Sequence, residues 1–320
     1  MRKWLPSMLA APVVVCAALV TVGAAPQEDQ ASALLEQIRA ALGGDRLAAV
    51  KTLAIEGSYR QVMGENERSG DLELLFAMPD RYQRIEQIPT PTGMPGPRIA
   101  TTLDGGEAWM GPLGPIPGGM MMRFGPGPGG PSGPGGPGGP QGQGRRFDPL
   151  PRVRAEYWRV ALAILPGSAA TSALKFTYVG KAEAPDGQAE VLDVTGEGGF
   201  AARLFVDAAS YLPIMMTYQD RDLSQMRPQQ FRRREGETPE QMRQRIEEER
   251  KKREAAGPPP PPPMVEHTMF IADHQEVDGL QIPGRIAIQV GDKPTQEWEL
   301  KKVKVNAKLE EDQFKRKSSE

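Results

Sequence analysis

From Leu53 onward the apolar residues fall at every second position, and this period constrains the chain more than any other feature. Leu53, Ile55, Gly57 and Tyr59 share one side of an extended segment, and Ala54, Glu56, Ser58 and Arg60 share the other. After the turn MGENERSG at 63–70, Leu72, Leu74 and Phe76 alternate with Asp71 and Glu73. Such a pair has one apolar and one mainly polar face, so it belongs to an antiparallel sheet covered on one side. Further strand segments lie at 81–88, 98–104, 107–110, 174–182, 188–195, 200–207, 213–219, 265–273, 280–290 and 296–305. Together they predict about ten or eleven strands in one large antiparallel sheet, an α+β, mostly β fold.

Two helices are available to cover the apolar face. Ser32 to Leu42 carries Leu34, Leu35, Ile38, Ala41 and Leu42 at helical spacing, with Ser32 as its cap and Gly43 and Gly44 as its stop. Asp45 is expected to cap a second short turn that runs through Val50 into the first strand. Arg154 to Leu165 sets Tyr157, Val160, Ala161 and Ile164 on one side.

Two segments do not fit the sheet. Residues 111–148 contain GPGPGGPSGPGGPGGPQGQG, whose glycine triplets are too few for a collagen helix and read as a disordered loop. Residues 221–263 hold a helix-forming stretch, EQMRQRIEEERKKREAA, stopped by Gly257 and six prolines. Thr238, Pro239 and Gln241 fit a capping box, while Met242 and Ile246 give the helix little to pack with. The segment reads as a solvated helix and a stiff spacer. The domain map is a leader at 1–24 and a single domain at 25–320 with these two inserts.

The leader has Arg2 and Lys3, then the apolar run Met8 to Val22, then Gly23, Ala24 and Ala25. This is the pattern of an export signal cleaved after Ala24, with an uncleaved anchor as the rival reading. Export places the protein in the periplasm, peripheral to a membrane at most. Cys16 follows Val15, where a lipidation site needs a small residue, so acylation is not expected. The mature chain then has no thiol for a disulfide, a metal or nucleophilic chemistry. A net charge of −2 excludes a general electrostatic match to nucleic acid.

Motifs for chemistry are missing. G-x-S-x-G, H-E-x-x-H and the P-loop are absent, and no pair of carboxylates has the spacing of an acid and a base. His267 and His274 stand seven apart, on opposite faces of an extended strand, and do not form a metal site. Met120, Met121 and Met122 are read as an adaptable apolar lip rather than a copper site. No catalysis, cofactor or metal is expected. A hydrolase would need a nucleophile and a base brought together by the fold.

Several stretches resemble the outer-membrane lipoprotein-sorting carriers and receptors, the LolA/LolB-like proteins. SGDLELLFAMPDRYQR at 69–84 is similar to their strand-then-proline segment, through Gly70, Asp71, Leu72 and Pro79. TTLDGGEAW at 101–109 resembles their following strand, through Asp104, Gly105 and Trp109. RLFVDAASYLPIMMTY at 203–218 resembles their late hairpin, through Asp207, Leu212 and Pro213. The closing stretches EVDGLQIPGRIAI and VKVNAKLEEDQF resemble those of related exported proteins. The resemblance implies an unclosed β half-barrel with helices over its concave face and a cavity for acyl chains. One departure stands out: the carriers have a basic residue just before that proline to help hold the lid, and this chain has Met78.

The expected function is the holding of an apolar ligand, such as a lipid or a lipoprotein acyl chain. The expected cavity residues are Ile55, Tyr59, Leu72, Leu74, Phe76, Trp109, Phe176, Tyr178, Leu204, Val206, Met216 and Ile288. The alternative is a cell-envelope interaction or sensor module on the same fold, docking a protein partner through 221–263.

Overall fold

The computed structural model describes residues 27–64, 66–89, 96–114, 148–184, 187–222, 237–256 and 262–316. The expected leader, the glycine-rich loop from 115 to 147, residues 223–236 of the second insert and the proline run at 257–261 lie outside them. Among the described residues, no helix is long and apolar enough to cross a membrane. The chain divides into two compact units, one of residues 1–121, 148–219 and 266–320 and one of 122–147 and 220–265.

The first unit is an open antiparallel sheet of twelve strands, not closed into a barrel. Helix α1 (Gln27–Leu42) and the short α2 (Asp45–Ala48) lead into β1 (Thr52–Met63). The chain then meanders outward through β2 (Asn66–Ala77), β3 (Arg81–Gln87), β4 (Arg98–Asp104) and β5 (Glu107–Pro112). Helix α3 (Leu150–Ile164) follows. A second meander returns through β6 (Lys175–Ala184), β7 (Gly187–Gly196), β8 (Phe200–Asp207), β9 (Pro213–Arg221), β10 (Met264–Val277), β11 (Leu280–Val290) and β12 (Lys293–Val305). The spatial order is β5-β4-β3-β2-β1-β12-β11-β10-β9-β8-β7-β6. Both meanders start or end in the middle, where β1 pairs with β12. Among the described residues β5 and β6 are the edge strands, and α3 lies between them in the sequence, so it joins one edge to the other.

Two helix starts differ from expectation. Helix α1 already includes Gln27 to Ala31, so Ser32 lies inside it; Glu28 and Asp29 suit a first turn, because their charges oppose the helix dipole. Gly44 rather than Asp45 occupies the cap position of α2, without any side-chain cap bond. Gly43 ends α1 at φ 131°, and a Cβ there would lie 2.6 Å from the Gly279 carbonyl oxygen. That close approach lets the helix deliver the chain directly onto the sheet.

Alternation sorts the sheet into two faces. Leu53, Ile55 and Tyr59 of β1, Leu74 and Phe76 of β2 and Leu192, Leu204, Val206 and Met216 of β7–β9 join one buried cluster with Leu34, Ile38 and Leu42 of α1 and most of α3. On the opposite face a smaller cluster forms from Leu75, Ile85, Ala100 and Phe314, with Ala54, Ala77, Trp109, Leu113 and Leu309 packed against it.

In the second unit, helix α4 (Pro239–Ala256) opens with the expected capping box. The Thr238 amide donates to Gln241 Oε1 at 2.9 Å, and the Gln241 amide donates to Thr238 Oγ1 at 3.2 Å. Arg245 grips Glu237 with two bonds of 2.8 and 3.0 Å.

Candidate functional site

The helix-covered, concave face is built from the β1–β4 and β7–β12 side chains that point toward α1 and α3. Eight residues of α3 are buried: Val153, Tyr157, Trp158, Val160, Ala161, Leu162, Ala163 and Ile164. The helix thus carries a wide apolar face that only the sheet can cover. Phe76, Tyr82 and Tyr157 form an aromatic trio, with ring centroids 5.1 to 6.2 Å apart. Trp158 meets Phe200 edge-on at 5.2 Å.

Polar ties fix α3 at its margins. The Tyr157 hydroxyl donates to the Pro79 carbonyl oxygen. Arg154 reaches both meanders, donating to the Gly105 carbonyl at 3.3 Å and to Glu197 at 2.8 Å. Arg159 lies 4.1 Å from the Tyr218 ring, which stacks on His267. His274 sits on the other side of β10, where burial pushes its pKa below the usual value.

The strongest tie is ionic. Arg84 of β3 stands between Glu86, at 2.7 Å, and Glu156 of α3, at 3.0 Å. Burial works against its charge, but the two carboxylates outweigh that cost and hold the guanidinium firmly protonated. The Tyr82 hydroxyl donates to the same Glu156 at 3.2 Å, and burial raises its pKa well above the ordinary range. A basic residue therefore does hold the helix, but it stands on β3 rather than before Pro79. Met78, in that place, packs against the main cluster. On the far half Tyr178 donates to Glu190 at 2.7 Å, and its pKa is pushed up to about 12, chiefly by burial.

Nine of the twelve residues expected to line a cavity meet in this cluster: Ile55, Tyr59, Leu72, Leu74, Phe76, Leu204, Val206, Met216 and Ile288. Phe176 and Tyr178 pack half-buried at its margin. Trp109 is not among them. Its register partner Thr102 and its neighbours Leu75, Ile85 and Phe314 place it on the outer face, where its Nε1 donates to the Phe314 carbonyl at 2.8 Å. Sequence reasoning missed Tyr82, Leu103, Arg84, Glu156 and Trp298. Tyr82 carried a signal, since it lies opposite Phe76 in the hairpin.

A groove of about 480 Å³ lies on the outer face instead, lined by Glu56, Ser58, Asp71, Glu73, Arg98 and Lys302 among others. Its charges largely pair with one another, as in Arg98–Glu73 at 2.6 Å and Lys302–Glu56 at 3.1 Å. Among the described residues no group of three or more His, Cys, Asp or Glu side chains could hold a metal ion.

The class the fold defines is an open antiparallel half-barrel with helices over its concave face. The chain is similar to a LolA superfamily protein from Nitrosomonas europaea, at 12% identity, covering 89% of this chain and 97% of that one, with a TM-score of 0.46. It is similar to a DUF1329 family protein from Desulfovibrio piger, at 8% identity over 91% and 98%, with a TM-score of 0.47. A third likeness is to an outer membrane lipoprotein-sorting protein domain from Vibrio parahaemolyticus, at 10% identity over 90% and 97%, with a TM-score of 0.45. No family model matches the chain, and no curated protein matches it. Function does not carry over from neighbours this distant, so the concave face has to supply it.

Proposed function

We propose that this chain is an exported, non-catalytic binding protein that holds an apolar ligand, a lipid or the acyl chain of a lipoprotein, between the concave face and α3. The observation that carries this reading is the construction of α3. Its inner face is apolar and packs on the sheet, and a few polar contacts beside that packing, chiefly Arg84–Glu156 and Tyr157–Pro79, add to the hold. The candidate residues are packed against the helices, so a ligand reaches them when a helix moves.

The magnitudes allow that exchange. Burying six large side chains of α3 contributes roughly 9–18 kcal/mol at 1.5–3 kcal/mol each. An acyl chain of about sixteen carbons contributes roughly 12 kcal/mol at about 0.8 kcal/mol per methylene. The two are comparable, so a chain can replace much of what α3 supplies.

An acyl chain carrying an environment-sensitive fluorophore tests the reading. It should bind saturably at one site and be displaced by a diacylated lipopeptide. Glu156→Gln, which weakens the tie of α3, should speed association about tenfold, the equivalent of 1.4 kcal/mol. Absence of saturable binding in both proteins would refute the proposal.

A second reading is an envelope interaction module that docks a protein through 221–263. The observation favouring it is α4, a helix held at its start by its own capping box and by the Arg245–Glu237 pair. Removing 221–263 separates the two readings. Probe binding that survives while a co-purifying protein is lost favours the module.

A further inference from the structure

The outer face of β1–β5 is covered in part by the segment that follows β12. After β12 the chain turns at Asn306, whose φ is 54°. The Asn306 side chain accepts from the Lys51 amide at 2.8 Å and donates to the Ala49 carbonyl at 3.3 Å. From there residues 307–316 cross the sheet toward β5. Only Phe314 in this segment is buried, at 1% exposure, while Leu309 packs partly.

The socket is built to read a main chain. Gln83 is 2% exposed, and its amide nitrogen is shared between Thr102 Oγ1 at 3.0 Å and the Gln313 carbonyl at 2.9 Å. The Trp109 indole donates to the next carbonyl, that of Phe314, at 2.8 Å. Two donors fixed on the sheet thus meet two successive carbonyls, and an apolar pit of Leu75, Ile85 and Ala100 takes the ring. Arg81 adds an ion pair to Glu311 at 3.3 Å. The segment itself buries this amide and this indole; without it Gln83 keeps Thr102 as a partner and both donors turn to water.

We infer that the outer face of β1–β5 is a peptide-docking site, and that its occupant in trans is the C-terminal segment of a second copy of this chain. That segment is the one peptide seen to fit: an acidic stretch, Glu310 to Asp312, ahead of a phenylalanine and three basic residues. Its hold is one buried ring, the partly packed Leu309 and four polar contacts, the shortest from Thr52 Oγ1 to the Ala307 carbonyl at 2.6 Å. Tethering gives the cis segment a high effective concentration, so exchange is expected only when the cis contact is weakened.

Complementary full-length variants test this. A Gln83→Ala/Trp109→Ala chain keeps a tail with no socket for it, and a Phe314→Ala chain keeps a socket with no ring to fill it. Mixed, they should form a one-to-one pair by native mass spectrometry that neither forms alone. In the wild-type chain, amides of 307–316 should exchange hydrogen at least tenfold faster than those of β1. Failure to pair overturns the inference. So does a tail as protected as β1, or loss of folding in Phe314→Ala, because the tail would then be an integral part of the fold. If a synthetic 307–316 peptide binds the Phe314→Ala chain while the two chains do not pair, the second copy is wrong and the socket serves another protein.

Discussion

The two meanders bury the same kind of inner face and differ on the outer one. In β1–β5 the outer face has its own apolar cluster, closed by Phe314. In β6–β9 the described outer face carries the exposed pair Arg203–Asp193, at 2.7 Å. Ala189 and Val191 of β7 are buried on that outer side too, so what sets the first meander apart is an outer apolar cluster closed by Phe314. The difference teaches that the inner face is a common requirement of the sheet, while the outer cluster is an addition specific to one half.

Core truncation on the inner face should cost most, and equally in both halves. Phe76→Ala and Leu204→Ala remove fully buried side chains, and each should lower stability by about 3–5 kcal/mol in urea unfolding. A loss confined to one meander would show that the two do not share a core.

Phe314→Ala should cost less, about 1.5–3 kcal/mol, because a loosened tail exposes its ring position to water instead of leaving a sealed cavity. A loss as large as that of Phe76→Ala would make the outer cluster part of the main core and erase the contrast.

Asp207 lies in the β8–β9 turn and accepts from the Ser210 hydroxyl and amide, both at 2.7 Å. The hydroxyl bond first, and the amide bond after it, hold its carboxyl below the ordinary value of 3.8. A lowered pKa stabilises the fold above the unfolded value, and that contribution is lost as pH falls through the folded value. Asp207→Asn should therefore lower the thermal midpoint by roughly 2–4 °C at pH 7, with the gap to wild type closing below about pH 4. A gap that persists in acid would point to packing rather than charge.

The smallest effect belongs to the outer face of the second meander. Both partners of Arg203–Asp193 are more than 40% exposed. Asp193→Ala should cost below about 1 kcal/mol and nothing measurable in 1 M salt.

The inner face was legible because alternation is local: Leu53, Ile55, Leu74 and Phe76 announce it within a few residues. The capping box at Thr238 and Gln241 was legible for the same reason. The ionic hold on α3 was not, since Arg84 and Glu156 lie 72 positions apart and neither departs from an ordinary surface charge in the sequence. Phe314 sits alone in a charged tail, with no period to assign it a face. Trp109 was assigned to the cavity as an apolar strand position, whereas its strand, EAWMGP, has no clear alternation to fix which side it takes. What escaped the sequence is what depends on partners brought together by the fold.

Native mass spectrometry of the protein taken from the periplasm of expressing cells, followed by lipid extraction, tests the central proposal most directly. The account predicts a population carrying the added mass of one acyl-bearing molecule, released by organic solvent and depleted in Leu204→Trp, which fills the concave face. A bare chain in both proteins, unchanged after incubation with diacylated lipopeptide, would contradict it.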